Sequence, residues 1–248
     1  MWFYIFFICA LVFSLRVSSE PYIFYKTPSE DVIIEDAIFN AVIRSLPNYL
    51  IKTEEVSLAR AIYEIDKGNG TCIRNLVKTP ERSSKYLFSK PMTFFFGVQA
   101  YVYPKSNIKI DTFKSLGEVL EHNPKWVIGI EKQRSYGEDF DNALKKIKKR
   151  NIYIKDGSES ETQMYDMFRA RRFDILLEYP SVVRFLNRNK NIPKEHEPLP
   201  LLKSEYLGII TGHLACIDSV HSQNFLKDFN EKLNQLFKQG ELHKLYRL

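Results

Sequence analysis

Cysteine is nearly absent, with three in 248 residues, and no two of them (Cys9, Cys72, Cys216) stand close enough for a Cys-x-x-Cys zinc or redox motif. The five histidines, His122, His196, His213, His221 and His243, show neither His-x-x-x-His nor His-Glu-x-x-His spacing, which argues against a zinc site. Gly-x-Ser-x-Gly, a Walker loop and Gly-x-Gly-x-x-Gly are all missing; Gly68-Asn-Gly70 is only a turn. Nothing in these patterns argues for an enzyme, and no cofactor is expected. Glycine and proline are sparse, at 10 and 11, which excludes collagen-like and low-complexity chains. No apolar run reaches the roughly 20 residues that a membrane-spanning helix needs. A large excess of one charge is also lacking, since 36 Lys and Arg against 30 Asp and Glu leave +6. The densest basic stretch, Lys145, Lys146, Lys148, Lys149 and Arg150, reads as the solvated end of a helix rather than a nucleic-acid patch, so no nucleic-acid partner is expected.

What is present is a foldable α/β pattern behind an export signal. Trp2–Leu15 is an uncharged run of 14 residues, the length of the apolar part of a secretion signal, preceded only by the α-amino group. Val17 and Ser19 are small enough to stand three and one residues before a cut, which places cleavage between Ser19 and Glu20 and the mature protein in the periplasm. The cut would leave two cysteines, Cys72 and Cys216. In an oxidising space these form either a long-range disulfide or two buried thiols; both lie in short apolar segments that read as strands of one sheet, which favours the bridge.

Strand and helix periodicities alternate along the chain. Strands are predicted at Tyr22–Tyr25, Leu50–Thr53, Thr71–Leu76, Trp126–Ile130, Ile152–Lys155 and Asp174–Leu177, with helices between them and a closing helix over Asn224–Tyr246. Such alternation implies βαβ units and a mainly parallel sheet. Two longer extended segments, Thr93–Tyr103 and Pro198–Ile210, bracket a self-contained α/β unit. They suggest two lobes joined by a two-strand hinge: lobe I from residues 20–98 plus 204–248, and an inserted lobe II from 99–203.

Particular residues then point to a family. Cys72-Ile-Arg-Asn-Leu-Val-Lys-Thr-Pro-Glu-Arg82, followed by Phe88-Ser-Lys-Pro91, resembles the Thr-x-Glu-Arg and Phe-Ser-x-Pro signature of extracellular solute-binding proteins of family 3, the receptors of polar amino-acid ABC transporters. Gly129–Gly137, Arg172-Phe-Asp174 with Glu178, and the last helix agree in order. The resemblance implies a type II periplasmic binding-protein fold, a small polar ligand that is amino-acid-like or a carboxylate, and delivery to an ABC permease or a membrane sensor by a monomer.

The chemistry of the matching positions is consistent with that. Arg82 can grip a carboxylate through two parallel charge-assisted hydrogen bonds, or pair with Glu81 or Glu54 at the surface. Lys78 and Thr79 precede it in the same motif. Ser135 and Tyr136 precede a helix start, where Ser135 either serves as the N-cap or stands with free N–H groups that attract anions, and Arg134 adds a positive charge. Glu178 ends an apolar strand at the edge where ligands of open α/β sheets bind; the resemblance implies that it receives a ligand's ammonium. Asn75 and Val77 stand where the family carries small hydroxyl residues, and Lys26–Glu30 lacks the expected glycine pattern, leaving Tyr22, Phe24 and Tyr25 as candidate pocket walls. Two other readings stay open: a dehydratase-like enzyme on the same fold using Glu178, Arg82 and Lys78, and an interaction protein whose cleft holds no ligand.

Overall fold

The computed structural model describes residues 21–27, 33–104, 112–156, 161–203 and 207–241. The expected signal over 1–19, its cut after Ser19, most of the first strand-to-helix loop and residues 204–206 at the expected lobe boundary lie outside the described residues.

Among the described residues the strands form two sheets. The first contains β1 (Tyr22–Lys26), β2 (Ile51–Glu55), β3 (Cys72–Val77), β4 (Tyr86–Phe88), β5 (Thr93–Phe96) and β11 (Ile209–Ile217). Its order is β2-β1-β3-β11-β4, with β5 paired to the earlier part of β11. The second contains β6 (Gln99–Val102), β7 (Ile128–Glu131), β8 (Ile152–Lys155), β9 (Ile175–Glu178) and β10 (Leu199–Pro200), in the order β10-β6-β9-β7-β8. Strands joined through helices are parallel, as in β1 with β2 and β3 and β7 with β8 and β9. β11 and β6, which carry the chain into and out of these units, run antiparallel to their neighbours.

Period-two side-chain alternation fixes which helix covers which face. In β1, Phe24 points to a core shared with α1 (Ile33–Arg44) and α8 (Val220–Lys238), while Tyr25 points to one shared with α2 (Leu58–Asp66). Phe24, Phe225 and Phe229 are fully buried, with ring centroids 5.3 Å apart for Phe24–Phe225 and 5.8 Å for Phe225–Phe229. Each such ring contributes on the order of 1.5–3 kcal/mol through burial. In the second sheet, Ala100, Val102, Ile175 and Leu177 face α4 (Leu116–His122) and α5 (Glu138–Lys146). Tyr101 and Leu176 face α6 (Glu161–Arg169) and α7 (Pro180–Asn189).

Cys72 and Cys216 are direct cross-strand partners on β3 and β11, and the structure joins them in a disulfide with Cα atoms 4.0 Å apart.

Several elements differ from the sequence expectation for identifiable reasons. The extended run expected over Thr93–Tyr103 divides into β5 in one sheet and β6 in the other. The break falls at Gly97, whose N–H donates to the Gly208 carbonyl at 2.6 Å. A Cβ on Gly97 would lie 2.7 Å from that oxygen, so only glycine allows the two connecting segments to approach here. The stretch after β3 holds the one-turn helix α3 (Pro80–Ser83) and β4, neither of them among the predicted elements. Pro80 at its start and the Thr79 hydroxyl, which accepts from Arg82 N–H at 3.2 Å, set that turn. β4 exists because β11 offers it a partner; three residues carry too little periodicity to announce it. The closing helix begins at Val220, four residues before the expected Asn224, because Ser219 caps it by accepting from Ser222 N–H at 3.1 Å.

Candidate ligand-binding site

The expected site residues come from three places: the end of β3 with α3, the loop between β7 and α5, and the end of β9. Arg82 sits on α3 rather than in an open loop. Its guanidinium donates backwards to the Val77 carbonyl at 2.7 Å and outwards to the Gln133 carbonyl at 2.5 Å. One side chain from the unit of the first sheet thus reaches the β7–α5 loop of the second. Gln133 presents its carbonyl from a left-handed turn, with φ of 67°. Burial lowers the Arg82 guanidinium from its usual range, Asp141 opposing. Thr79 serves as the cap of α3, and Lys78 is exposed, with its ammonium 5.7 Å from the Phe88 ring centroid.

Asn75 is also left-handed, with φ of 53°, and its side-chain oxygen accepts from the Thr93 hydroxyl at 2.7 Å. This pair occupies the space beside Gly212 on β11, where a Cβ would collide with both groups.

Ser135 and Tyr136 are buried. The Ser135 hydroxyl donates to Asp141 at 2.5 Å, and the Tyr136 N–H donates to the other oxygen of the same carboxylate at 2.8 Å. Asp141, in the first turn of α5, therefore takes the Tyr136 donor expected to meet a ligand anion. The Tyr136 hydroxyl accepts from Glu131 N–H at 2.8 Å, and burial pushes its phenol well up.

Glu178, at the end of β9, is met by Arg134. The two nitrogens of Arg134 lie 2.9 and 2.5 Å from the two carboxylate oxygens, and Tyr179 N–H adds a third bond at 2.8 Å. The Arg134 guanidinium sits between the Tyr136 and Tyr179 rings, 5.1 and 5.5 Å from their centroids. Glu131 approaches Arg134 at 3.4 Å, and burial pushes its carboxyl up against the pull of that arginine. Burial alone would lower Arg134, but Glu178 and Glu131 outweigh it and hold the guanidinium well above its usual value.

The structure therefore brings Arg82 to the β7–α5 loop, and Arg134 to Glu178, while Lys78 and Thr79 remain beside β3. Sequence reading passes over Gln133, Asp141 and Tyr179. Gln133 acts through its backbone, which no residue type signals. Asp141 had a signal, an acid in the first turn of a helix whose N–H groups need acceptors. A separate cavity of about 950 Å³ lies between α4 and α5 and reaches the connecting segments at Gly97 and Gly208; of the expected site residues only Tyr136 lines it.

Two open α/β units, traversed twice by the chain and linked by Arg82, define the architecture of bilobal binding proteins. The chain belongs to the bacterial extracellular solute-binding proteins, family 3, whose model matches residues 12–247. This is a family of binding proteins and not of enzymes, and its architecture is the type II periplasmic binding-protein fold. No curated protein sequence matches the chain. Among solved structures, a histidine kinase sensor domain with similarity to periplasmic binding proteins superposes with a TM-score of 0.71 at 10% identity, covering 92% of this chain and 95% of that one. The arginine-, lysine-, histidine-binding protein ArtJ from Geobacillus stearothermophilus gives 0.70 at 11% identity, covering 92% and 94%. A putative L-cystine ABC transporter protein from Listeria monocytogenes gives 0.68 at 16% identity, covering 91% and 93%. At these identities the likeness is one of fold.

Proposed function

We propose that the protein is an exported solute receptor whose lobes, residues 20–98 plus 204–248 and residues 99–203, close over a small polar ligand bearing a carboxylate. Arg82 carries this reading. Its guanidinium crosses between the two units yet rests on two neutral carbonyls, and among the described residues no carboxylate forms an ion pair with it. A ligand carboxylate is a stronger acceptor than the Gln133 carbonyl, because both partners of the new bonds are charged. Binding there would engage both units at once, and closure would need no covalent chemistry. Export into the periplasm through the Trp2–Leu15 signal follows from the same reading, and the bound form serves an ABC permease or a membrane sensor.

The test is a thermal-shift screen of the chain from Glu20 onwards against amino acids, small carboxylates and oligopeptides. A true ligand at a hundred times its dissociation constant stabilises by about 2.7 kcal/mol. Arg82→Ala should then weaken that ligand by roughly 10- to 150-fold, the equivalent of about 1.5–3 kcal/mol for hydrogen bonds to a charged group. Unchanged affinity in the variant would remove Arg82 from the site.

A further inference from the structure

The charges around the junction are not equally free. Glu178 is 2% exposed and holds three donors: two from Arg134 and the Tyr179 N–H. Asp141 holds the Ser135 hydroxyl and the Tyr136 N–H. Glu131 is drawn to Arg134 on one side and is the register partner of the buried Lys155 on the other. Glu81, on the same turn as Arg82, is exposed and forms no ion pair with it. Arg82 ends on neutral carbonyls, and Asp141, the carboxylate that acts on it most strongly, already has both oxygens taken by the Ser135 hydroxyl and the Tyr136 N–H, so Arg82 keeps its donors for an incoming acceptor.

The consequences for a ligand are asymmetric. A carboxylate arriving at Arg82 displaces only the neutral Gln133 carbonyl and exchanges it for charge-assisted bonds. An ammonium arriving at Glu178 must expel a guanidinium held by a bidentate ion pair and flanked by two aromatic faces. It must also leave Arg134 with only the longer Glu131 contact, at 3.4 Å, in a largely buried setting where a poorly paired charge is costly.

Resting on the reading of this cleft as the ligand site, we propose that the ligand is a small carboxylate without an amino group, such as a 2-oxo acid, a hydroxy acid or a dicarboxylate, because Arg134 already occupies the acceptor that an ammonium would need. Arg134 then acts as a built-in substitute for the ammonium of an amino acid. It selects by filling the subsite, while Arg82 supplies the attraction.

Matched pairs sharing one carbon skeleton test this directly: pyruvate and lactate against alanine, and glutarate and 2-oxoglutarate against glutamate, titrated calorimetrically into the chain from Glu20. The member without the amino group is expected to bind at least about tenfold more tightly in the responding pair, and Arg82→Ala to abolish most of that binding. Arg134→Gln uncovers Glu178 and should shift the ratio by about tenfold or more towards the amino acid. Should that variant fail to fold, the wild-type ratio still decides. Wild-type protein that binds the amino acid as tightly as its partner, in a manner lost with Arg82→Ala, overturns this inference and leaves the receptor reading standing. Binding of either member that Arg82→Ala leaves undiminished overturns both. Silence from every pair overturns the inference for small carboxylates, while the wider screen continues to test the receptor reading.

Discussion

Arg74 offers the same bidentate fork as Arg82 and spends it internally. Its side chain is 4% exposed, with Nε and Nη2 on the two oxygens of Glu35 at 3.0 and 2.8 Å. Nη2 also reaches Asp36, which Lys26 holds from the other side at 2.5 Å, and the guanidinium lies 3.9 Å from the Phe39 ring centroid. Burial pushes the Glu35 carboxyl up even with this partner beside it. Arg74→Ala should therefore destabilise the fold by about 3–5 kcal/mol, because it strands a buried carboxylate. Replacing Arg74 and Glu35 together by Met should recover most of the loss, and chemical denaturation of the two variants distinguishes the cases. In the sequence Arg74 and Arg82 are eight residues apart and alike in type. The motif around Arg82 singled it out for the cleft. What no pattern of residues could show is that Arg74 and Arg134 find carboxylates while Arg82 does not, since Glu35, Glu178 and the Gln133 carbonyl lie 39, 44 and 51 positions from them.

At the scale of elements, legibility tracked length and period. Helices such as α2, with the Ser57 hydroxyl accepting from Arg60 N–H at 3.2 Å, announce themselves through cap and amphipathic spacing. The parallel strands did so through apolar runs. α3 and β4 did not, being four and three residues long, and both are products of a cap and of tertiary pairing. The bridge between β3 and β11 was legible as a choice between a disulfide and free thiols, and the register decides it by setting Cys72 opposite Cys216. That crosslink spans 144 residues and ties the central strand of the first sheet to the strand that returns from the second. Restricting so long a loop in the unfolded chain contributes about 2–5 kcal/mol, with the entropic share near the upper end. The Cys72→Ser, Cys216→Ser double variant should lose that much stability while keeping its ligand affinity, since neither sulfur touches the residues around Arg82. A loss of affinity matching the loss of stability would show that the bridge also shapes the cleft.

Across the whole molecule, the two packed units meet at the Gly97–Gly208 contact, where the chain crosses twice, at Val77 and Ile210 packed into the core of the second unit, at the Phe95–Tyr179 ring pair 5.3 Å apart, and at the bond from Arg82 to Gln133. The first is backbone against backbone and tolerates no added carbon on Gly97. The bond from Arg82 rests on a single side chain between the units, and a hydrogen bond from a charged donor contributes on the order of 1.5–3 kcal/mol. A contribution of that size biases a two-state opening by roughly 10- to 150-fold, with no ligand involved. Arg82→Ala in the free protein should therefore move the population towards an open form. It would be read as a larger radius of gyration in small-angle scattering and faster amide exchange in residues 131–137. Thermal stability should change little, because each unit keeps its core and the first keeps its disulfide. Scattering and exchange that match wild type would mean that the connecting strands and the apolar contacts of Val77, Ile210 and Phe95 hold the units together, and Arg82 would then act only on what binds between them.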